Sequence, residues 1–402
     1  MRVLRLVFFS LLAAQALRAQ RVEVIASTQL APGVHYERLH DGRGPWALHL
    51  VRIDIRRASV MLTTSRAHDQ LRSRERTSEI AFRKSSEGVP VLAAVNADFF
   101  DLKTGENENN QVMNGEWWKG LKVTDSPYDT YDNVHVQFAL DASGVPVIDR
   151  FILDAHAWAH GVRTPIVSVN FNPTGNPEGT ALFTPRYGTT TPRDTARITA
   201  EATLIAAGRR GDTLIYVRRA DVSNASGSPI PPNGAVLSAY GARTKEIQAM
   251  RDGDTVRVLL ATLPRLAHGT TPRLLIGGWP RILRDGANVA ADAATVEGTI
   301  SRNAEVRHPR TSIGFSRDSR TVFLLAVDGR SEKSVGMTLV ELAAFMRSIG
   351  AWQAMNFDGG GSTTMVINGA VVNTPSDPTG ERDVGNALLV VGTPKSTPRP
   401  LP

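Results

Sequence analysis

Ala351-Trp-Gln-Ala-Met-Asn356-Phe-Asp358-Gly359-Gly360-Gly361-Ser362-Thr363-Thr364-Met365-Val366-Ile367-Asn368-Gly369 reads as a strand, a glycine turn, a second strand and a hairpin. Three glycines in a row let main-chain N–H groups approach a ligand closely, because glycine lacks a Cβ and accepts positive φ. Such a run is either a plain connector or a nest for an anionic oxygen. Just upstream, Thr338-Leu-Val-Glu341 has the form of a capping box, opening a helix with Leu342, Phe345, Met346 and Ile349 on one face and closed by Gly350. That helix feeds the strand leading to Asp358. Beyond the glycines, Asn368-Gly369 is a type I′ hairpin signal, with Ala370 to Asn373 returning. A carboxylate at the end of a buried strand, followed by bare backbone, suits a reaction site on a rigid scaffold.

Working outward, Thr311 to Phe315 and Val322 to Val327 form an expected hairpin around Ser316-Arg-Asp-Ser319, so Arg310 and Asp328 emerge from the same end of adjacent strands. Val89 to Val95 is a nearly continuous apolar strand with Asn96 at its end and Asp98 beside it. Asn96 and Asp98 either enter a pocket or make an Asx-type turn. Arg310 has a structural ion pair as its plain alternative, Asp328-Gly329 a simple turn, and Arg382 an exposed charge cluster.

The ordered set Val95-Asn96-Ala-Asp98-Phe-Phe100, His308-Pro-Arg310-Thr-Ser-Ile-Gly314, Val327-Asp328-Gly329, Ser334-Val-Gly-Met-Thr338, Asn356-Phe-Asp358-Gly-Gly-Gly-Ser-Thr-Thr-Met and Glu381-Arg382 ahead of Asn386-Ala-Leu resembles the phosphodiester glycosidase family. One departure is Ala97, where that family usually shows glycine. The resemblance implies an exported hydrolase that cleaves the glycosidic bond of a sugar-1-phosphodiester, of the N-acetylglucosamine-1-phosphodiester kind, leaving free sugar and a phosphomonoester. Asp358 is then the expected nucleophile or general base, Asp328 its partner and Arg310 a third catalytic group. Asn96, Asp98, Gly359, Gly360, Gly361, Ser362, Thr363 and Arg382 are the expected substrate and phosphate contacts, with main-chain amides around Gly360 to Ser362 holding the phosphate. The reading from another class is a non-catalytic envelope protein that binds glycans or phosphoglycans on the same fold.

The remaining chain narrows the context. Residues 1 to 19 carry Arg2 and Arg5, the apolar run Leu6 to Leu12 and then small residues, the pattern of a cleaved secretory signal. That run is too short to span a bilayer, so no stable membrane anchor is expected. The chain has no cysteine, which excludes disulfides, and a secreted or periplasmic location follows from the leader. The net charge is +7, but the basic residues are dispersed and no nucleic-acid module is present, so nucleic acid is not an expected partner. No cofactor is required by these residues, and the question of a metal, such as a divalent cation at the phosphate, stays open.

Trp46 to Thr63 alternates like a half-buried strand, Arg66 to Lys84 reads as a surface-charged loop leading into a helix, and Gly105 to Asn110 as a solvated polar loop without the spacing of a calcium loop. Asn114-Gly115 marks another hairpin. From about Gln137 to Arg284 short strands alternate with turns, and Arg186 and Tyr187 there are either sugar-facing or packing residues. The expected fold is α+β: a mixed, largely antiparallel β-sheet core with flanking helices in a single elaborated domain. Residues 20–85 supply its β-rich N-terminal segment, residues 86–392 its main part, and 393–402 a disordered Pro-rich tail.

Overall fold

The computed structural model describes residues 22–392 apart from 58, 87, 123–134, 174–176 and 299–305. The expected leader and C-terminal tail lie outside the described residues. The fold is dominated by sheet, and among the described residues strand pairs are antiparallel except Ser168–Val169 with Gly179–Phe183.

Two sheets stacked face to face carry the glycine turn. In the first, Trp46–Asp54, Thr321–Val327, Arg310–Phe315 and Gln353–Asn356 lie side by side. In the second, Met365–Ile367, Val91–Asn96, Asn386–Gly392 and Val60–Arg66 do. Val51, Ile53, Ile313, Leu324 and Met355 of the first interlock with Leu62, Val95, Met365 and Leu388 of the second in one core. The outer faces are also covered. The helix Leu339–Ser348 lays Leu342, Phe345 and Met346 on Leu48, Leu50, Phe323 and Leu325, and the helix Thr77–Lys84 lays Ile80 and Ala81 on Val91, Ala94 and Leu389.

This layering explains the burial patterns. A strand covered on both faces has no polar side to show, so Arg310–Phe315 is buried throughout and Trp46–Asp54 nearly so, instead of alternating as its sequence pattern implies. The expected capping box is present in full: Glu341 N–H donates to Thr338 Oγ1 at 3.1 Å, and Thr338 N–H to Glu341 Oε2 at 2.9 Å. Both Asn-Gly hairpins form, with φ of 50° and 79° at Asn114 and Gly115, and 48° and 82° at Asn368 and Gly369. The strands expected between Gln137 and Ala261 join a third, thirteen-stranded sheet with its own core around Leu153, Val169, Leu204, Leu237 and Val258.

Two expectations fail together. The Arg66 to Lys84 charges are not all at the surface, for Arg66 is 0% exposed and Glu75 is buried. Gly105 to Asn110 is not a solvated loop, because Asn107, Asn109 and Asn110 are buried too. They are buried against each other. Arg66 donates to Asn107 Oδ1, to Gln111 Oε1 at 2.7 Å, and to the carbonyls of Gln70 and Leu71. Lys119 binds the Asn107 carbonyl and lies 3.0 Å from Glu106. Burial disfavours ionisation of Glu106, but Lys119 and Arg72 outweigh it and hold the carboxyl at about 2. A polar segment is buried at low cost when each group meets a partner, which composition alone does not reveal.

Candidate active site

Strand direction brings the site together. Arg310 pairs with Val327 and Ser312 with Asn356, so the start of one strand and the ends of its two neighbours share an edge of the first sheet. Asn96 ends its strand at the matching edge of the second sheet, beside Met365. The segment Phe357 to Thr364 crosses from one sheet to the other there. Its glycines are required by what presses on them. A Cβ at Gly359 would sit 2.7 Å from the Pro309 carbonyl, one at Gly361 would run into the Arg382 guanidinium, and Gly360 holds φ at +59°.

The result is a cavity of about 170 Å³ lined by Phe99, Trp279, His308, Arg310, Arg330, Asp358, Gly359, Gly360, Gly361 and Arg382. That volume is below the ~300 Å³ of ordinary drug-sized pockets, so it takes only the reacting end of a ligand, with the rest outside. Burial pushes the Asp358 carboxyl up to about 6, against the Ser362 hydroxyl that hydrogen-bonds it and the nearby Arg382 charge. Burial likewise lowers Arg310 to about 10, still charged at neutral pH. Arg310 Nε donates to the Met337 carbonyl at 2.8 Å, and Nη2 to that of Val306 at 2.9 Å. Arg382 is shared with Asp377 at 2.6 Å, and its Nη1 reaches Ser362 Oγ at 3.5 Å. Phe99 meets Trp279 edge to face, with ring centroids 6.4 Å apart, and forms an apolar wall.

Other expected contacts stand behind this cavity. Asn96 is buried and works as a tie: it accepts from Thr311 Oγ1 at 2.7 Å and Thr364 N–H at 3.1 Å, and donates to the Asp358 carbonyl at 2.7 Å. Asp98 is buried one layer deeper, accepting from Asn107 at 2.9 Å and from the Asn109 side chain at 2.7 Å, and burial raises its pKa. Ser362 is turned to Asp358, and Thr363 is buried with its carbonyl bound by Asn373 at 3.0 Å. Asp328 is not a partner of Asp358. Its Oδ1 accepts from Thr374 N–H at 2.9 Å, and its Oδ2 lies 3.7 Å from His49 Nε2, so it anchors the loop that carries Arg382.

The amide nest also requires correction. The N–H of Gly359 goes to its neighbour Asp358 Oδ1, that of Gly360 to the Pro309 carbonyl at 2.9 Å, and that of Ser362 to the Gly359 carbonyl at 3.1 Å. Those three donors are spent inside the turn, so of the expected nest only the Gly361 N–H stands outside these bonds, and most of the positive charge at the cavity comes from the guanidinium groups. Phe99, Trp279 and Arg330 were missed in the site reading. Phe99 stands inside the quoted motif Val95 to Phe100 and Arg330 directly follows Val327-Asp328-Gly329, which are usable signals, but nothing in the sequence marks Trp279. Arg186 pairs with Glu116 at 2.8 Å and stacks over Trp118, lining a separate cavity with Tyr187, Arg72 and Glu106. Among the described residues no group of three His, Cys, Asp or Glu side chains gathers as a metal cage, and no helix is long and apolar enough to cross a membrane.

Residues 205–391 match the family model described as phosphodiester glycosidase. The chain resembles the phosphodiester glycosidase family. The matched stretch holds Arg310, Arg330, Asp358 and Arg382, while Asn96, Asp98 and Phe99 precede it. The N-acetylglucosamine-1-phosphodiester alpha-N-acetylglucosaminidase of Mus musculus is 29% identical over 188 residues, 45% of this chain and 36% of that protein. Its counterpart from Bos taurus is 30% identical over 166 residues, 40% of this chain and 31% of that protein. The match therefore spans about a third of the length of those relatives. The fold is shared with a protein from Synechocystis, at a TM-score of 0.71 and 20% identity over 92% of this chain and 64% of that one. A protein from Burkholderia pseudomallei gives 0.64 and 23%, over 86% and 74%.

Proposed function

We propose that this chain is an exported hydrolase that cleaves the bond between the anomeric carbon of a sugar and the phosphate of a sugar-1-phosphodiester, of the N-acetylglucosamine-1-phosphodiester kind, with residues 86–392 as the bulk of its catalytic domain. The observation that carries this reading is one small cavity lined by a carboxylate, Asp358, three guanidinium groups and an aromatic wall. Arginine donates parallel hydrogen bonds to phosphate oxygens and keeps its charge, so Arg310 and Arg382 hold the phosphate. The sugar ring lies against Phe99 and Trp279.

Cleavage of the C–O bond builds positive charge on the ring and returns the bonding pair to the phosphate oxygen. A phosphate monoester is a fair leaving group, so little acid assistance is needed, and the arginines stabilise the charge it gains. Asp358, with its pKa near 6, is mostly ionised at neutral pH. Its carboxylate acts on the anomeric carbon, as nucleophile or as the base that takes a proton from the attacking water. Asp328, Asn96, Asp98, Ser362 and Thr363 act through these groups by holding the loops that carry them. The test is release of free N-acetylglucosamine from its 1-phospho-methyl diester by the purified protein, with Asp358→Asn folded and inactive. Binding without release would favour the glycan-binding reading.

A further inference from the structure

Arg330 is a non-glycine residue held at φ +62°, in the left-handed region that arginine seldom adopts. A glycine or asparagine there would relieve the backbone, so an arginine at this φ points to a use for its side chain. The chain before it is pinned. A Cβ at Gly329 would sit 2.7 Å from Pro309 N, and the Asp328 carbonyl accepts from Ser334 Oγ at 2.6 Å. From that fixed base the side chain crosses the glycine turn. Its Nη1 donates to Ser376 Oγ at 3.3 Å, Ser376 Oγ in turn donates to the Gly360 carbonyl at 3.2 Å, and a Cβ at Gly360 would lie 3.0 Å from Nη2.

Its charge is also available in a way that of Arg382 is not. Arg382 is already answered by Asp377, whereas among the described residues Arg330 makes no ion pair. A guanidinium steadied by a neutral hydroxyl keeps most of its five donors for a ligand. It also lies on the solvent side of the cavity, being exposed where Arg310 is buried.

We propose that Arg330 is the specificity-determining residue of this site, the contact by which it selects an anionic phosphate ester over a neutral glycoside. The inference rests on the phosphodiester reading above and assigns it a residue. Arg310 and Arg382 hold the phosphate from inside the cavity. Arg330, at the mouth, gains a charge-assisted bond only from a ligand whose group beyond the anomeric oxygen bears negative charge.

The test has two readouts. Inorganic phosphate is titrated calorimetrically into the wild type, Arg330→Met and Arg330→Gly, and melting temperature is recorded for each. Loss of one charge-assisted contact predicts phosphate binding weaker by roughly 10- to 100-fold in both variants, while Arg330→Gly melts no lower than the wild type because its backbone is relieved. In turnover, the ratio of kcat/KM for the N-acetylglucosamine 1-phospho-methyl diester to that for 4-nitrophenyl N-acetyl-α-glucosaminide falls by a similar factor, through KM, and Arg330→Lys restores part of it. Unchanged phosphate affinity in both variants overturns the proposal. So does a drop in the melting temperature of Arg330→Gly, which would make the side chain a structural strut. Arg330-dependent phosphate binding without any sugar release would instead support the anion contact and defeat the hydrolase reading.

Discussion

Asn96 donates its side-chain amide to the main-chain carbonyl of Asp358 at 2.7 Å, across 262 residues of sequence. The same side chain accepts from Thr311 and from the Thr364 amide, so one residue ties both sheets to the glycine turn. Its removal orphans three buried groups, each worth roughly 1–3 kcal/mol. Asn96→Ala is expected to lower stability by about 2–4 kcal/mol, by the urea midpoint, and to disorder the turn. Stability within 0.5 kcal/mol of wild type would show that the tie is replaceable by water.

Asp358 links pH to stability as well as to activity. Its folded pKa, near 6, lies above the 3.8 of an unperturbed aspartate, so between those values the native state holds a proton that the unfolded chain has lost. Stability therefore falls as pH rises through that window, by up to roughly 3 kcal/mol, and stays lower above it. Asp358→Asn removes this slope and is expected to melt higher than wild type at pH 7 while hydrolysis is lost. Thermal melts of both proteins from pH 4 to 7 check it; parallel curves would contradict the raised pKa. In the wild type, kcat/KM should rise with pH through a limb near 6 as the carboxylate forms.

Gly361 and Gly369 separate crowding from backbone freedom. A Cβ at Gly361 would run into Arg382 and lie 2.8 Å from Asp377 Oδ2, whereas at Gly369 it would meet nothing within 4 Å and only the positive φ is at issue. Gly361→Ala should raise KM for the diester at least ~tenfold by displacing the guanidinium. Gly369→Ala should cost about 1 kcal/mol of stability and leave KM alone. Equal effects in the two variants would deny that the turn is shaped around Arg382.

Arg66 tests the buried polar layer behind the site. Burial lowers its pKa from the ordinary guanidinium value to about 10, a cost of roughly 3 kcal/mol to its charge. Arg66→Met removes that cost but orphans three acceptors, Asn107 Oδ1 and the carbonyls of Gln70 and Leu71, at roughly 1–3 kcal/mol each, while Gln111 Oε1 keeps the Asn386 amide. Net destabilisation of about 2–4 kcal/mol is expected from chemical denaturation, on the same per-group costs. A variant as stable as wild type would mean that water or rearrangement satisfies Asn107 and the two carbonyls instead.

What the sequence by itself determined was local and periodic. Thr338 and Glu341 close a capping box within one turn, Asn368-Gly369 and Asn114-Gly115 carry the positive φ that a tight hairpin demands, and the run to Val95 is apolar enough to mark a buried strand. Strand pairing then followed for Arg310 and Asp328, because a hairpin returns its ends to the same edge. The convergence of Arg310, Asp358 and Arg382 was legible only through the ordered motifs, since spacing carries no information about which distant strand ends meet.

Tertiary structure decided the rest. Whether Asp328 faces the cavity or the loop at Thr374 depends on a side-chain direction that an Asp-Gly pair leaves free. The amides of Gly360 and Ser362 were claimed by Pro309 and Gly359, which the glycine run could not show. Arg66 and the Asn107 to Asn110 segment are buried because each finds a partner tens of residues away, so a composition that reads as solvated became an interior layer. Trp279 reaches the site because its N–H meets the Asn356 carbonyl, and Arg330 because it follows the strand paired with that of Arg310; pairing between strands far apart in sequence leaves no period in the chain.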